Sequence, residues 1–322
     1  MEQRTLGRTG ITVGRIGLGT ATFGREIGEE EAWKIMDYAV DRGITLFDTA
    51  EAYGGGQARL YRKNVFGVED VREVSGEMHS SEKIIGRWMK SRGARNEVTI
   101  LTKVTTNFTR GHVREAVEAS LDRLQTDRVD LYFCHAWDEE TAIEAVDALR
   151  EIRDAGLIRA AGCSNYTGAQ LERTIGAGPR VMEAVENNYN VVTRDIEEDL
   201  LPVAAREEIG VITYSPLGAG FLMGKYTADR TALPKGTRFD VIPGHVDVYF
   251  SERNFRWVGL LHEFSARVGV PVERVAMSWV LKNPAVDVML VGARSISHIE
   301  SALAAAAMPF PDAWYAEFAG WA

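Results

Sequence analysis

The chain has 322 residues, 26% of them charged and 45% hydrophobic, the balance of an ordinary globular protein. Its formal net charge of −9 argues against a nucleic-acid partner, because phosphate backbones are met by basic faces. No apolar run approaches the roughly 20 residues that span a bilayer, and the N-terminus MEQRTLGRTG lacks the apolar stretch of a secretion signal, so no membrane partner and a cytoplasmic location are expected. In chain order, short apolar runs predict strands at Ile16–Thr22, Thr45–Thr49, Val98–Val104, Val129–His135, Ile158–Ser164, Met182–Asn188, Val211–Ser215 and Val286–Gly292. Helical periodicity falls between them, at Glu29–Arg42, from Ser81 onward, and at Arg110–Leu124, Thr141–Ala155, Ile196–Glu208 and Val272–Lys282. The two cysteines, Cys134 and Cys163, sit in strand-like runs and read as free, buried thiols.

Eight strand–helix units without a linker-like break predict one α/β domain over 1–322, a closed (β/α)8 TIM barrel. The rival, an open doubly wound sheet, usually carries a G-x-G-x-x-G turn after its first strand. Here that strand reads GLGTATFG. The segment 55–80, GGQARLYRKNVFGVEDVREVSGEMHS, is too long for a simple connection of about 2–6 residues. In a barrel this insertion after strand two lies on the catalytic face.

In such a barrel, polar residues at strand C-termini converge over the mouth. Asp48, Tyr53, Lys103 and His135 all follow apolar strand starts. A buried ammonium needs a partner, which Asp48 supplies. The lysine is then expected to lower the Tyr53 phenol towards acid–base use, while a neutral His135 donates a hydrogen bond to a carbonyl oxygen. Trp137 is a candidate wall of the same pocket. His79, His112, His245 and His262 show no metal-ligand spacing, so no metal is expected.

Taken together, the stretches GLGTATFG, LFDTAEAYG, SEKIIG, LTKV, CHAWD, GCSNY, YSPLGAGFLMGKY and VGARS resemble the aldo-keto reductases over nearly the whole chain. The resemblance implies a nicotinamide-dependent oxidoreductase acting on an aldehyde or ketone and its alcohol, with a sugar or polyol as one option. It makes Asp48, Tyr53, Lys103 and His135 catalytic, with Tyr53 as the proton donor or acceptor. It places Gly19 and Thr20 near the nicotinamide ribose, Ser164 and Asn165 on the carboxamide and Tyr214 under the ring. Ser215, Leu217, Gly220, Leu222 and Gly224 resemble the pyrophosphate segment, and Gly292, Arg294, Ser295 and His298 resemble the adenosine loop. Arg294 is the only cation in VGARS, so NADP(H) is expected over NAD(H).

Three places depart from the family pattern. Glu186 stands where a glutamine usually helps to hold the carboxamide, and its charge would favour the oxidised cofactor. His298, Ser301 and Ala302 replace the usual adenosine contacts. The insertion at 55–80 is longer than the family's, and a lid or wall over the substrate is expected of it. Two other functions remain open on the same fold: an enzyme without net redox change, such as an epimerase that retains its nicotinamide, and a non-catalytic redox-sensing subunit. The oligomeric state is left open.

Overall fold

A computed structural model describes residues 1–67, 69, 73–178, 180–242 and 244–321. Part of the insertion, residues 68 and 70–72, therefore lies outside the described residues. The chain begins with a short antiparallel hairpin, β1 (Gln3–Thr5) and β2 (Thr12–Gly14). Eight parallel strands follow: β3 (Ile16–Gly19), β4 (Leu46–Asp48), β5 (Thr99–Val104), β6 (Val129–Cys134), β7 (Ile158–Ser164), β8 (Met182–Asn188), β9 (Gly210–Tyr214) and β10 (Val288–Gly292). They close into a barrel in chain order, with β10 returning to β3 through Leu290↔Gly17 and Gly292↔Gly19. This is the expected (β/α)8 barrel.

Two hydrophobic cores follow from strand alternation. Along each strand every second residue faces the barrel axis. Leu46, Leu101, Leu131, Phe133, Ala160, Ala184, Ile212, Val288 and Leu290 form this inner core. Leu6, Ile11 and Val13 of the hairpin pack into the same cluster, so the hairpin plugs the end where the strands begin. The larger outer core lies between the strands and the surrounding helices, with Trp88 and Trp279 among its largest buried side chains. The open end is the one where the strands finish.

Several features went unread in the sequence, among them the helices Glu252–Val268, Ile296–Ala307 and Asp312–Ala319 near the C-terminus. The strands of the hairpin are three residues each, too short for a periodic signal. The helix Gly168–Ala177 is announced by a capping box, in which the Thr167 side chain accepts from the Gln170 N–H and the Gln170 side chain accepts from the Thr167 N–H. The insertion folds as a helix, Gly55–Phe66, before it returns to the helix Ser80–Arg92. Gly55 is needed there, since a Cβ would sit 1.8 Å from the Ser75 carbonyl oxygen. Leu60, Tyr61 and Val65 of this helix are exposed.

Candidate active site

The inward parity that builds the inner core also places the polar residues. Asp48 is two residues beyond Leu46, Lys103 two beyond Leu101, and His135 two beyond Phe133, so each continues its strand's axis-facing row at the open end. Ser164, Glu186 and Tyr214 do the same on β7, β8 and β9. They meet at the head of a cavity of about 1160 Å3 lined by Tyr53, His135, Asn165, Glu186 and Tyr214 at one end and by Lys225, Arg294, His298 and Ser301 at the other. That volume exceeds the roughly 300–1,000 Å3 usual for a small-molecule site.

Lys103 is fully buried. Its Nζ pairs with Asp48, donates to the Thr49 carbonyl at 3.1 Å and lies 3.2 Å from Glu186 Oε2. Burial works against its charge, but Asp48 and Glu186 outweigh that and hold the ammonium above its ordinary value. The same Nζ is 5.2 Å from the centre of the Tyr53 ring, and Tyr53 meets His135 edge to face with centroids 5.5 Å apart. Tyr53, Lys103, Asp48 and His135 are thus brought together as expected.

The electrostatics correct one expectation. Lys103 does pull the Tyr53 phenol down, but burial pushes it up by more, helped by Asp48 and Glu186. The phenol therefore stays above its ordinary value and holds its proton through the neutral range. Burial, with the neighbouring Lys103 charge, pushes His135 down to about 3, so the imidazole is neutral. Its Nδ1 has no hydrogen-bond partner within the protein. His135 itself lines the cavity, and a buried polar atom left without a partner there calls for a functional explanation.

Asn165 organises the ring end. Its Nδ2 donates to the His135 carbonyl at 2.8 Å and to Ser164 Oγ at 3.1 Å, and its Oδ1 accepts from the Tyr214 hydroxyl at 2.6 Å. Ser164 Oγ in turn donates to the Glu186 carbonyl at 2.8 Å. Thr20 faces inward rather than into the cavity: its hydroxyl donates to the Asp48 carbonyl at 2.7 Å and meets Ser81 Oγ at 2.7 Å. Leu222 is fully buried, and Gly224, in the left-handed region, closes the turn against the His262 ring. Trp137 does not line the cavity. Its indole donates to Glu139 and packs edge on against Tyr166, beneath Arg173.

The far end suits an anion. Ala219 and Gly220 are successive left-handed residues, at φ 53° and 89°, a conformation that turns backbone amides towards a common concavity. Lys225 Nζ lies beside Gly220, and both burial and Arg294 depress its pKa. Among the described residues Lys225 has no carboxylate partner, whereas Glu26 serves Arg25, Arg238 and Arg294 together. Lys225, Glu26 and Arg238 were missed in the sequence, although Lys225 directly follows the glycine-rich segment. Gly292 and His298 line the cavity, and Ser295 sits just outside it, bonded to Ser297. Ser301 Oγ lacks a partner, while Ala302 is in the core. The donor set, amides and cations at one end and unpaired polar atoms at the other, fits a nicotinamide dinucleotide.

Both cysteines are free and buried, and burial pushes Cys134 up to about 12, so neither is a reactive thiol. Among the described residues no cluster of His, Cys, Asp or Glu could hold a metal, and no helix is long and apolar enough to cross a membrane.

A barrel of this topology with this mouth is that of a nicotinamide-dependent oxidoreductase, and comparison with known proteins agrees. The sequence pattern of the Aldo/keto reductase family matches residues 15–321, and the chain belongs to that family. It is 32% identical to the aldo-keto reductase YhdN of Bacillus subtilis, over 94% of this chain and 87% of that one. It is 30% identical to a probable voltage-gated potassium channel subunit beta of Arabidopsis thaliana, over 93% of this chain and 89% of that one. A thermostable aldo-keto reductase solved with the inhibitor epalrestat superposes with a TM-score of 0.73 at 26% identity, each chain covered in full. Membership implies NAD(P)-dependent oxidoreductase activity.

Proposed function

We propose that the protein interconverts a small aldehyde or ketone and its alcohol, using NADP(H) in preference to NAD(H). One observation carries this reading: Tyr53, Lys103 and His135 converge at one end of a cavity whose other end holds Lys225 and Arg294. Tyr214, Ser164 and Asn165 would hold the nicotinamide ring, the Leu217–Gly224 turn and Lys225 the pyrophosphate, and Arg294, His298 and Ser301 the adenosine end. Bound there, the nicotinamide supplies or accepts the hydride. The protein's own part is proton handling and orientation. Neutral His135 directs a hydrogen bond at the substrate oxygen. Tyr53, protonated at neutral pH, gives its proton to the alkoxide that develops on that oxygen, and Lys103 stabilises the phenolate left behind. A phenol that keeps its proton suits reduction. Following the absorbance of each reduced cofactor against a panel of carbonyl compounds tests this, and a complete lack of turnover with all of them would return the protein to the non-catalytic reading suggested by its channel-subunit relatives. Nicotinamide retained through purification would favour the epimerase-like alternative.

Arg294 is exposed, and its partner Glu26 also serves Arg25 and Arg238, so its guanidinium can turn to a 2′-phosphate without leaving that carboxylate unpaired. Losing a hydrogen bond to a charged group typically costs about 1.5–3 kcal/mol, so Arg294→Ala is expected to raise KM for NADPH by about 10–100-fold. KM for NADH stays near wild type. An equal rise for both cofactors would remove Arg294 from phosphate recognition.

The helix Gly55–Phe66 contributes Ala58, and its N-cap contributes Gly54, to the cavity wall at the Tyr53 end. We assign it to substrate choice. Replacing residues 57–78 with a short linker is expected to reorder substrate preference and spare cofactor affinity. A change in oligomeric state alone would assign the helix to assembly instead.

A further inference from the structure

Two buried carboxyl groups face one ammonium at the barrel mouth. The side chains of Lys103, Asp48 and Glu186 are 0%, 5% and 2% exposed. Asp48 holds the direct contact with Lys103, while Glu186 Oε2, 3.2 Å from Nζ, has no aligned hydrogen bond. Two carboxylates sharing a dry site and one cation resist being ionised together. We infer that Glu186 is a proton-carrying positioning residue, which keeps a proton beside Asp48 when the nicotinamide ring next to it is neutral and releases that proton to solvent when the ring is cationic. The inference rests on the reading of this cavity as a nicotinamide site.

The neighbours of Glu186 leave it as the group free to titrate. Its carbonyl is fixed by Ser164 Oγ and by the Asn165 N–H, at 2.8 and 3.0 Å, and the residue forms part of the cavity lining. Facing it are Asp48 from β4, Lys103 from β5, and the ionisable rings of Tyr53, His135 and Tyr214. Burial pushes both phenols up, so they stay neutral, and His135 is neutral as well. Lys103 stays charged; burial pushes Asp48 up as well, but its direct pairing with Lys103 and a hydrogen bond from a protonated Glu186 oppose that, which places the charge on Asp48 and the proton on Glu186. Burial and repulsion by Asp48 together push Glu186 up to about 8. Below that pH, Asp48 and Lys103 sum to zero. Above it, the cluster carries one negative charge.

The sign of the effect follows. A cationic ring stabilises the Glu186 carboxylate, so the oxidised cofactor binds more tightly as pH rises through this range, and the neutral reduced cofactor gains nothing. A glutamine in the same place has no proton to release. The test is binding of NADP⁺ and NADPH to the purified protein between pH 6.5 and 9.5. The ratio of reduced to oxidised Kd cancels the titration of the shared phosphates. For a charge pair at about 6 Å in an effective dielectric near 20, discounted for solvent, that ratio should rise on the order of tenfold across the range. It should be flat in Glu186→Gln and partly restored in Glu186→Asp. Calorimetry in buffers of different ionisation heat should show proton release on binding NADP⁺ to wild type near pH 7.5, and none for Glu186→Gln. A flat ratio in wild type, or a slope that survives in Glu186→Gln, would overturn the inference while leaving the cofactor reading intact. If neither cofactor binds wild type, the cofactor reading falls and takes the inference with it.

Discussion

Replacing Tyr53 with phenylalanine is expected to lower turnover by about 10²–10⁴-fold, the usual cost of losing a general acid. The substitution removes one hydroxyl and keeps the ring that packs on His135 and sits beside Lys103. Fold, melting temperature and cofactor affinity should therefore be preserved. The pH dependence adds a second check. Because burial holds the phenol above its ordinary value, reduction by the wild type should not decline between pH 6 and 8 through loss of the Tyr53 proton. Oxidation needs the phenolate and should rise with pH. A Tyr53→Phe enzyme that kept most of its turnover would remove Tyr53 from the chemistry.

Lys103→Met is expected to abolish turnover to a similar extent and, unlike Tyr53→Phe, to destabilise the protein. Removing one partner of a buried ion pair typically costs about 3–5 kcal/mol. Here Asp48 would be left in the barrel interior without its cation. It can escape by taking a proton, which makes the cost depend on pH. In the variant, the folded-state pKa of Asp48 lies far above its unfolded value. The neutral fold is then as stable as it can be below about pH 4, and stability is lost as pH rises past the ordinary carboxylate range. The gap in melting temperature between variant and wild type should widen from pH 5 to pH 8. A gap that does not change with pH would mean that Asp48 does not depend on Lys103 for its charge. Glu186 adds little to the gap, since it tends to hold its proton in the wild type too.

All eight barrel strands were legible because nearly all of their residues are buried and each reads as a short, largely apolar run. The polar residues of the mouth were legible for the same reason: an aspartate or lysine ending such a run has no solvent to reach. What the sequence did not show depends on three-dimensional competition. The direction of the Tyr53 shift is set by burial against one charge, and no spacing of residues gives the weight of each. Trp137 follows His135 by two positions, but the chain leaves the strand at Cys134, so strand parity no longer governs where the indole points. Glu186 was visible as an odd residue at its position. Its contact with Lys103, three strands away around the barrel, was not.

The two ends of the insertion are fastened to each other. The Ser81 N–H donates to the Tyr53 carbonyl at 3.3 Å, and the Gly55 N–H donates to Ser80 Oγ at 3.1 Å. Ser81 Oγ is in turn bonded with Thr20 and Thr49, which flank the strand carrying Asp48. The excursion thus leaves and re-enters the barrel at one clamped point, and lengthening such a loop costs little, about 0.6 kcal/mol per doubling. Between the clamps the described residues of the stretch touch the barrel at a few further points, among them the Val74 N–H on the Arg25 carbonyl and the Gln57 amide on the Glu51 carbonyl. A redesign of this stretch that keeps both clamps is therefore expected to leave Asp48 and Lys103 in place while changing the wall beside Tyr53.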